Sequence, residues 1–371
     1  MFFPDLDNAA VQDRELNPLA FNPSDFPGIH AMLNSPEFNS ADVTTPDLVS
    51  LSVNGIIKRD SMEEYLAKKH NSSSALKEVL KTPFHYRFYM EQKQKAPDKS
   101  HFELGTFAHM AFLEPDRFSQ FIIEPDASLA KKEDVLKLIR FYEKVNKVDP
   151  SGVSHLGEDP KMNDLKNYLT SLKEQCPYSV VAKEYQEIID VLEFSYKHYG
   201  SGIIPRILKG AMSETSFYTK DPATHLPVKV RPDFFNIEEN IGVNAIISFK
   251  TTSAGTAEKF IYDTAKFKYE LSEGMYQEVV SHITGRKFNV TIMIMLQTVP
   301  PYLPAVFWWG PEDLTNGKYK YHMAIGRVRE CIDSGLYPGF DALAESGNYG
   351  IIDLNQPEWT RKELHPIDIE D

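Results

Sequence analysis

Two stretches decide how the chain is read: Val228-Lys229-Val230-Arg231-Pro232-Asp233-Phe234-Phe235 and, shortly after, Asn244-Ala245-Ile246-Ile247-Ser248-Phe249-Lys250. Both are short β-type runs, and Ala245-Ile246-Ile247 is apolar enough for a strand covered on both faces. Side chains alternate along a strand, so Ser248 and Lys250 share one face. Upstream, Ser213–Thr219 offers a partner for Val228–Phe235, and the turn-like Asp221-Pro222-Ala223-Thr224 between them makes a hairpin with a loop. Glu214 opens its first strand, Asp233 nears the end of its second, and Lys250 ends the third strand.

On both sides of these strands the pattern turns helical. From Ser61 to about Lys197, segments such as Lys132–Val145 and Val181–Lys197 place apolar residues three and four apart with charges between them. After Lys250, Thr256–Phe267 and Tyr269–Thr284 read as helices, Asn289–Val299 and Ala305–Trp309 as strands, and about Pro311 to Ser334 as a last helix. This succession predicts an α/β fold, a mixed central sheet flanked by helices, with a helical N-terminal part. Of Trp308 and Trp309, one is expected to face the core and the other a neighbouring element. Residues 1–50 show neither period and predict a flexible acidic arm; residues 341–371 form an acidic tail.

Of the 371 residues, 42% are hydrophobic and 25% charged, enough to bury a core. The longest apolar stretch, Val290–Leu296, is far short of the roughly 20 residues that cross a membrane. The N-terminus lacks the basic start and apolar run of a secretory signal, so a cytoplasmic protein without a membrane partner is expected. Cys176 and Cys331 are too few for a four-cysteine metal site and are expected as buried, reduced thiols. The net charge of −13 lies in the ends, −7 in residues 1–50 and −6 in residues 341–371, and leaves a neutral body that has room for a local basic groove. No Walker loop, zinc spacing or GxSxG elbow supports a nucleotide-driven motor, a zinc hydrolase or a serine hydrolase.

Hydrolysing a phosphodiester calls for hard oxygen ligands to a divalent cation and a cation or base beside the attacking water. Glu214, Asp233 and Lys250, at converging strand ends, can supply both. Lys77, Lys81, His85 and Arg87 are candidates for phosphate contact.

This order resembles the PD-(D/E)xK nuclease superfamily, with Val230-Arg231-Pro232-Asp233 and the lysine of the third strand as its core. More narrowly it is similar to the exodeoxyribonuclease VIII (RecE)-like family. Ser72-Ser73-Ser74-Ala75-Leu76-Lys77 leading to Thr82-Pro83-Phe84-His85-Tyr86 resembles that family's first helix, and Leu104-Gly105-Thr106-Phe107-Ala108-His109 with Leu113-Glu114-Pro115 its histidine motif. Tyr269 and Tyr276 fit the helix after the lysine, and Gly335-Leu336-Tyr337-Pro338-Gly339-Phe340 its closing turn.

The resemblance spans roughly residues 65–340. It implies a restriction-endonuclease-like nuclease domain over 51–340, mainly helical over 51–200 and α/β over 201–340. It implies Mg²⁺ or Mn²⁺ held by His109, Glu214 and Asp233, Lys250 orienting or activating the water, and Ser248, Thr251, Tyr276, Lys77 and Arg231 along the substrate. The activity implied is that of a metal-dependent deoxyribonuclease, a 5′–3′ exonuclease on double-stranded DNA with a free end, in bacterial or phage recombination or repair. A ring-shaped homo-oligomer and a single-strand annealing partner come with it.

Two positions depart from the pattern. Ser248 stands where the family carries an acid, and Ser272 where it carries Gln in front of Tyr276. A hydroxyl is a poor Mg²⁺ ligand beside a carboxylate. In certain restriction enzymes with Ser-x-Lys, a glutamate of the next helix replaces the lost acid. Around that helix Leu271, Met275, Tyr276, Val279, Val280 and Ile283 form the buried stripe; Glu273 borders it and Glu270 points further outward. Glu273 is therefore the expected replacement ligand. The alternative is a catalytically impaired DNA-binding or assembly module.

Overall fold

The computed structural model describes residues 22, 25–92, 103–148 and 160–356. Its ten strands are β1 (Ile56–Lys58), β2 (Ile122–Glu124), β3 (Val180–Ala182), β4 (Met212–Ser213), β5 (Ser216–Lys220), β6 (Pro227–Val230), β7 (Phe234–Asn236), β8 (Ala245–Thr252), β9 (Val290–Gln297) and β10 (Pro304–Trp308). Five form the central sheet in the order β10-β9-β8-β7-β4. Only the β8–β9 pair of that sheet is parallel. A parallel pair needs a crossover, and the helices Ala257–Lys266 and Tyr269–Thr284 provide it.

The apolar run of β8 is explained by helices on both faces. Ala245, Ile247 and Phe249 pack with Ala108, Leu113, Ile189 and Leu192, from the helices Glu103–Leu113 and Lys183–His198. On the opposite face, Ile246 packs with Leu271, Met275 and Val279 of the Tyr269–Thr284 helix. Trp308 and Trp309 divide in the same way, each against a different core, as expected.

The Tyr269–Thr284 helix is covered a second time, by the helix Pro311–Ser334. The two meet almost backbone to backbone: a Cβ on Gly317 would lie 1.9 Å from the carbonyl oxygen of Glu270, so only glycine fits. Covered by sheet and helix at once, the segment buries Glu270 as well as Glu273. The expectation that Glu270 points outward is thereby corrected: its carboxylate is 2.6 Å from Lys320 Nζ.

The hairpin differs from the two continuous strands expected. Each arm breaks and changes sheet, β4 and β7 lying in the central sheet, β5 and β6 in a second sheet of order β1-β5-β6. The breaks fall at Glu214-Thr215 and Arg231-Pro232-Asp233. Pro232 has no N–H to give a ladder, which ends β6 before it. Glu214 takes a left-handed φ of 48°, uncommon outside glycine.

Residues 1–50, expected as a mobile arm, are packed on the body over much of their described part. Met32 and Phe38 are buried, the Arg206 guanidinium lies 4.3 Å over the Phe38 ring, and Lys209 Nζ donates to the carbonyls of Glu37 and Ser40. The helices there, Ile29–Leu33, Pro36–Asn39 and Leu48–Leu51, are four or five residues long, too short to print a 3.6-residue period. Residues 1–21, like the tail beyond 356, lie outside the described residues.

Between β2 and β3, which pair in parallel, the helices Lys132–Asn146 and Met162–Glu174 close on a core of their own around Leu138, Ile139, Tyr142 and Leu169. Cys331 is buried as expected, Cys176 only partly, and both are free thiols. No helix among the described residues is long and apolar enough to cross a membrane.

Candidate metal centre

The two breaks in the hairpin lie side by side, joined by the Glu214 N–H donating to the Asp233 carbonyl at 3.0 Å. Both acids thus stand where the chain leaves the central sheet. Just past the β7–β8 pairing, the N–H of Phe249 donates to Asp233 Oδ2 at 2.7 Å. The next residue adds a charge: Lys250 Nζ is 2.7 Å from the same oxygen. From the other face of the sheet the Glu103–Leu113 helix brings His109, its ring edge-on to Phe249 and its Nε2 3.5 Å from Asp233 Oδ1. That helix comes close because it has Gly105 opposite Thr251; a Cβ there would be 3.0 Å from Thr251 Oγ1.

Among the described residues His109, Glu214 and Asp233 form a group whose ligand atoms all lie within 4.8 Å of one another, each half-buried. The donor set fits a divalent cation: one imidazole nitrogen and two carboxylates reachable from solvent. Lys250 engages one oxygen of Asp233 and Arg231 Nε one oxygen of Glu214, at 2.7 Å, which leaves the second oxygen of each more open.

The electrostatics divide the acids. Burial by itself would raise Asp233, but the Lys250 charge and the His109 hydrogen bond outweigh it and hold the carboxyl well below its usual range. Burial raises Glu214 against the opposing pull of Arg231. For Lys250, burial favours the neutral amine, yet Asp233 and Glu273 raise its pKa above the ordinary lysine value. It therefore stays an ammonium at neutral pH and is suited to orienting a water or phosphate oxygen, not to removing a proton.

Glu273 reaches the site from the side. Its two carboxylate oxygens lie 2.7 and 2.8 Å from the Ser248 hydroxyl, so a carboxylate does come to the strand position that lacks one. It stands outside the three-residue group. Burial lifts it to about 7, against the lowering influence of Lys250 and Ser248.

The remaining expected residues separate. Lys77 is at the site, its ammonium 5.3 Å from the Tyr269 ring, pushed down to about 8 by burial although Glu273 pulls the other way. Tyr276 lines a cavity of about 230 Å³ beside His109, Glu214 and Asp233. Arg231, expected on the substrate, is engaged inside the protein: its Nε holds Glu214 and its Nη1 donates to the Asp60 carbonyl and Ser216 Oγ. Thr251 packs toward the histidine helix. Lys81 pairs with Glu78, Arg87 with Glu91, and His85 Nδ1 lies 2.7 Å from Thr82 Oγ1. Sequence reasoning missed Tyr65 and Tyr89, which wall the same cavity. Tyr65 sits on the six-residue helix Met62–Ala67, too short to give a periodic signal.

A mixed sheet between helices, with two acids and a lysine on its central strands and the breaks beside them, and a histidine from a covering helix, defines a nuclease-type domain of the PD-(D/E)xK class. The chain belongs to the family described as PDDEXK-like domain of unknown function (DUF3799), which matches residues 72–345. Among solved structures it is similar to a "Putative exonuclease" from Eubacterium rectale, at 13% identity and a TM-score of 0.45, covering 84% of this chain and 100% of that one. A second, SSO0001, is 12% identical with a TM-score of 0.22, covering 75% of this chain and 96% of the other. No curated protein matches.

Proposed function

We propose that the protein is a metal-dependent deoxyribonuclease of the RecE-like type, a 5′–3′ exonuclease on double-stranded DNA with a free end, in recombination or repair. One observation carries the hydrolytic part: His109, Glu214 and Asp233 converge within 4.8 Å, with the Lys250 ammonium 2.7 Å from Asp233. End preference, polarity, homo-oligomeric assembly and an annealing partner follow the resemblance of the motifs alone. Mg²⁺ or Mn²⁺ at these ligands supplies charge to polarise the phosphate and acidify a water. Within the chain, Asp233 offers ionised oxygens, Arg231 keeps the Glu214 carboxyl in place, and Lys250 donates hydrogen bonds that orient the water. Lys77 is desolvated and near enough to neutralise a phosphate oxygen. Glu273, seated on Ser248, is the fourth candidate ligand, and a cation beside it would favour its ionised form.

Ser248 favours a second reading, a module that binds DNA without turnover. The two are separated by incubating linear duplex DNA with Mg²⁺ or Mn²⁺: wild type should degrade it, and Asp233→Asn and Lys250→Ala should not. Metal binding without degradation in wild type would favour the second reading.

A further inference from the structure

The helix Lys132–Asn146, in the insertion between β2 and β3, buries Val135, Leu138, Ile139 and Tyr142 on one side. On the opposite side it exposes Lys137, Arg140, Lys144 and, one residue past its end, Lys147. At about 100° per residue the four fall within an arc of roughly 80°, which one acid, the exposed Glu133 four residues before Lys137, also enters. Exposed cations on other helices are matched by acids one turn away, as in Lys183–Glu187, Lys197–Glu193 and Arg329–Asp333. Among the described residues no carboxylate pairs with these four. Lys137 Nζ donates to the Asp126 carbonyl, a neutral acceptor. The nearest acid to Arg140 along the helix, Glu143, is buried and accepts from the Tyr168 hydroxyl.

From Lys137 to Lys147 such a face opposes the stability of its own helix, since like charges three and four residues apart repel, and Glu133 stands one turn from Lys137 alone. Cations at the C-terminal end favour the helix dipole, which accounts for Lys144 and Lys147, and Glu133 one turn before Lys137 suits that residue, but neither accounts for Arg140 in the middle. Lys147, moreover, holds a left-handed φ of 56°, where glycine is relaxed and lysine is not. A row of four cations against one acid, in a chain of net charge −13, is complementary to a polyanion.

We infer that this face binds the phosphate backbone of duplex DNA, without sequence preference, as a contact separate from the metal centre. The inference rests on DNA being the substrate. The row spans roughly 15 Å of helix, and duplex DNA carries about one charge per 1.7 Å of its axis, so several phosphates lie within its reach. The inserted helices then act as an electrostatic hold, adding affinity without touching the reacting bond.

Binding of the full-length protein to fluorescent duplex DNA, free of divalent metal and titrated with KCl, tests this. For Lys137→Gln/Arg140→Gln/Lys144→Gln the slope of log K against log salt should fall by about one per cation removed, with affinity down about tenfold or more at low salt. Lys147→Gly removes a charge and relieves the left-handed backbone together. It should lower the slope by about one while the melting temperature holds or rises, so that unfolding is no explanation. Unchanged slopes in both variants would overturn the inference, as would a wild type that binds no DNA. Binding that depends on these residues in a wild type without metal-dependent cleavage would support the inference and remove the nuclease reading instead.

Discussion

The site has an open half and a closed half, on either side of Lys250. In the open half the side chains of His109, Glu214 and Asp233 keep 37%, 14% and 14% of their surface; in the closed half Ser248, Glu273, Gln277 and Thr291 keep 1% or less. The difference tracks charge. Each carboxylate of the open half is held by a cation, Arg231 or Lys250, whereas Glu273 rests on a hydroxyl and Gln277 Nε2 donates to Thr291 Oγ1. Burying a charge without a partner is costly, so the closed half favours neutral hydrogen-bonding groups and the open half keeps the negative charge a divalent ion needs.

The contrast is broken most easily at Asp233. Asp233→Asn preserves shape and removes the charge; cleavage of linear duplex DNA should fall by about a thousandfold or more. Turnover near the wild-type rate, with the fold verified by circular dichroism, would end the assignment of an open metal half. Arg231→Gln comes next: it leaves Glu214 without its cation, and Mn²⁺ affinity by calorimetry should drop about 10–100-fold. Urea unfolding of the same variant should show a loss on the order of 3 kcal/mol, as for a buried pair deprived of one partner.

Glu273→Gln sharpens the comparison from the closed side. Mn²⁺ affinity should weaken roughly tenfold, while Glu270→Gln, whose parent pairs with Lys320, should leave it unchanged. Without metal the Gln variant also has a pH signature. Glu273 ionises near 4.5 in the unfolded chain and about 7 in the folded one. Its contribution is therefore full below the lower value and is lost as pH rises through the upper, by an amount on the order of 1–3 kcal/mol. Glu273→Gln should gain stability over wild type at pH 8 and lose that advantage near pH 5. A flat difference across the range would mean that Glu273 stays ionised beside Lys250. The smallest effect belongs to Gln277→Leu/Thr291→Val. Gln277 Oε1 has no partner, and replacing both members of the bond by apolar groups should change stability by about 1 kcal/mol at most.

The same division separates what the sequence discloses from what it hides. The segments Tyr269–Thr284 and Pro311–Ser334 are helices over the expected bounds, and β8, β9 and β10 lie within two residues of theirs, because long periodic or continuous apolar runs survive any packing arrangement. The four residues Glu214, Asp233, Lys250 and His109 could be placed from motif order, and they meet. The break in both hairpin arms could not, since a strand that changes sheet keeps the same alternation on either side of its bend. The burial of Glu270 was hidden for a related reason: a stripe read from one helix supposes one covering layer, and this helix has two.

That second layer has a consequence for how the site could change. The spacing of the two helices at Gly317 and Gly274 fixes the depth at which Glu273 meets Ser248, yet neither glycine lies among the groups that could hold an ion. A single methyl at Gly317 acts as a shim: it must lift one helix off the other, and it would shift Glu273 against the strand while leaving Glu214 and Asp233 where the hairpin, and His109 where its own helix, puts them. Tuning of the closed half is thus open to substitutions remote from the chemistry that leave the two acids of the hairpin in place.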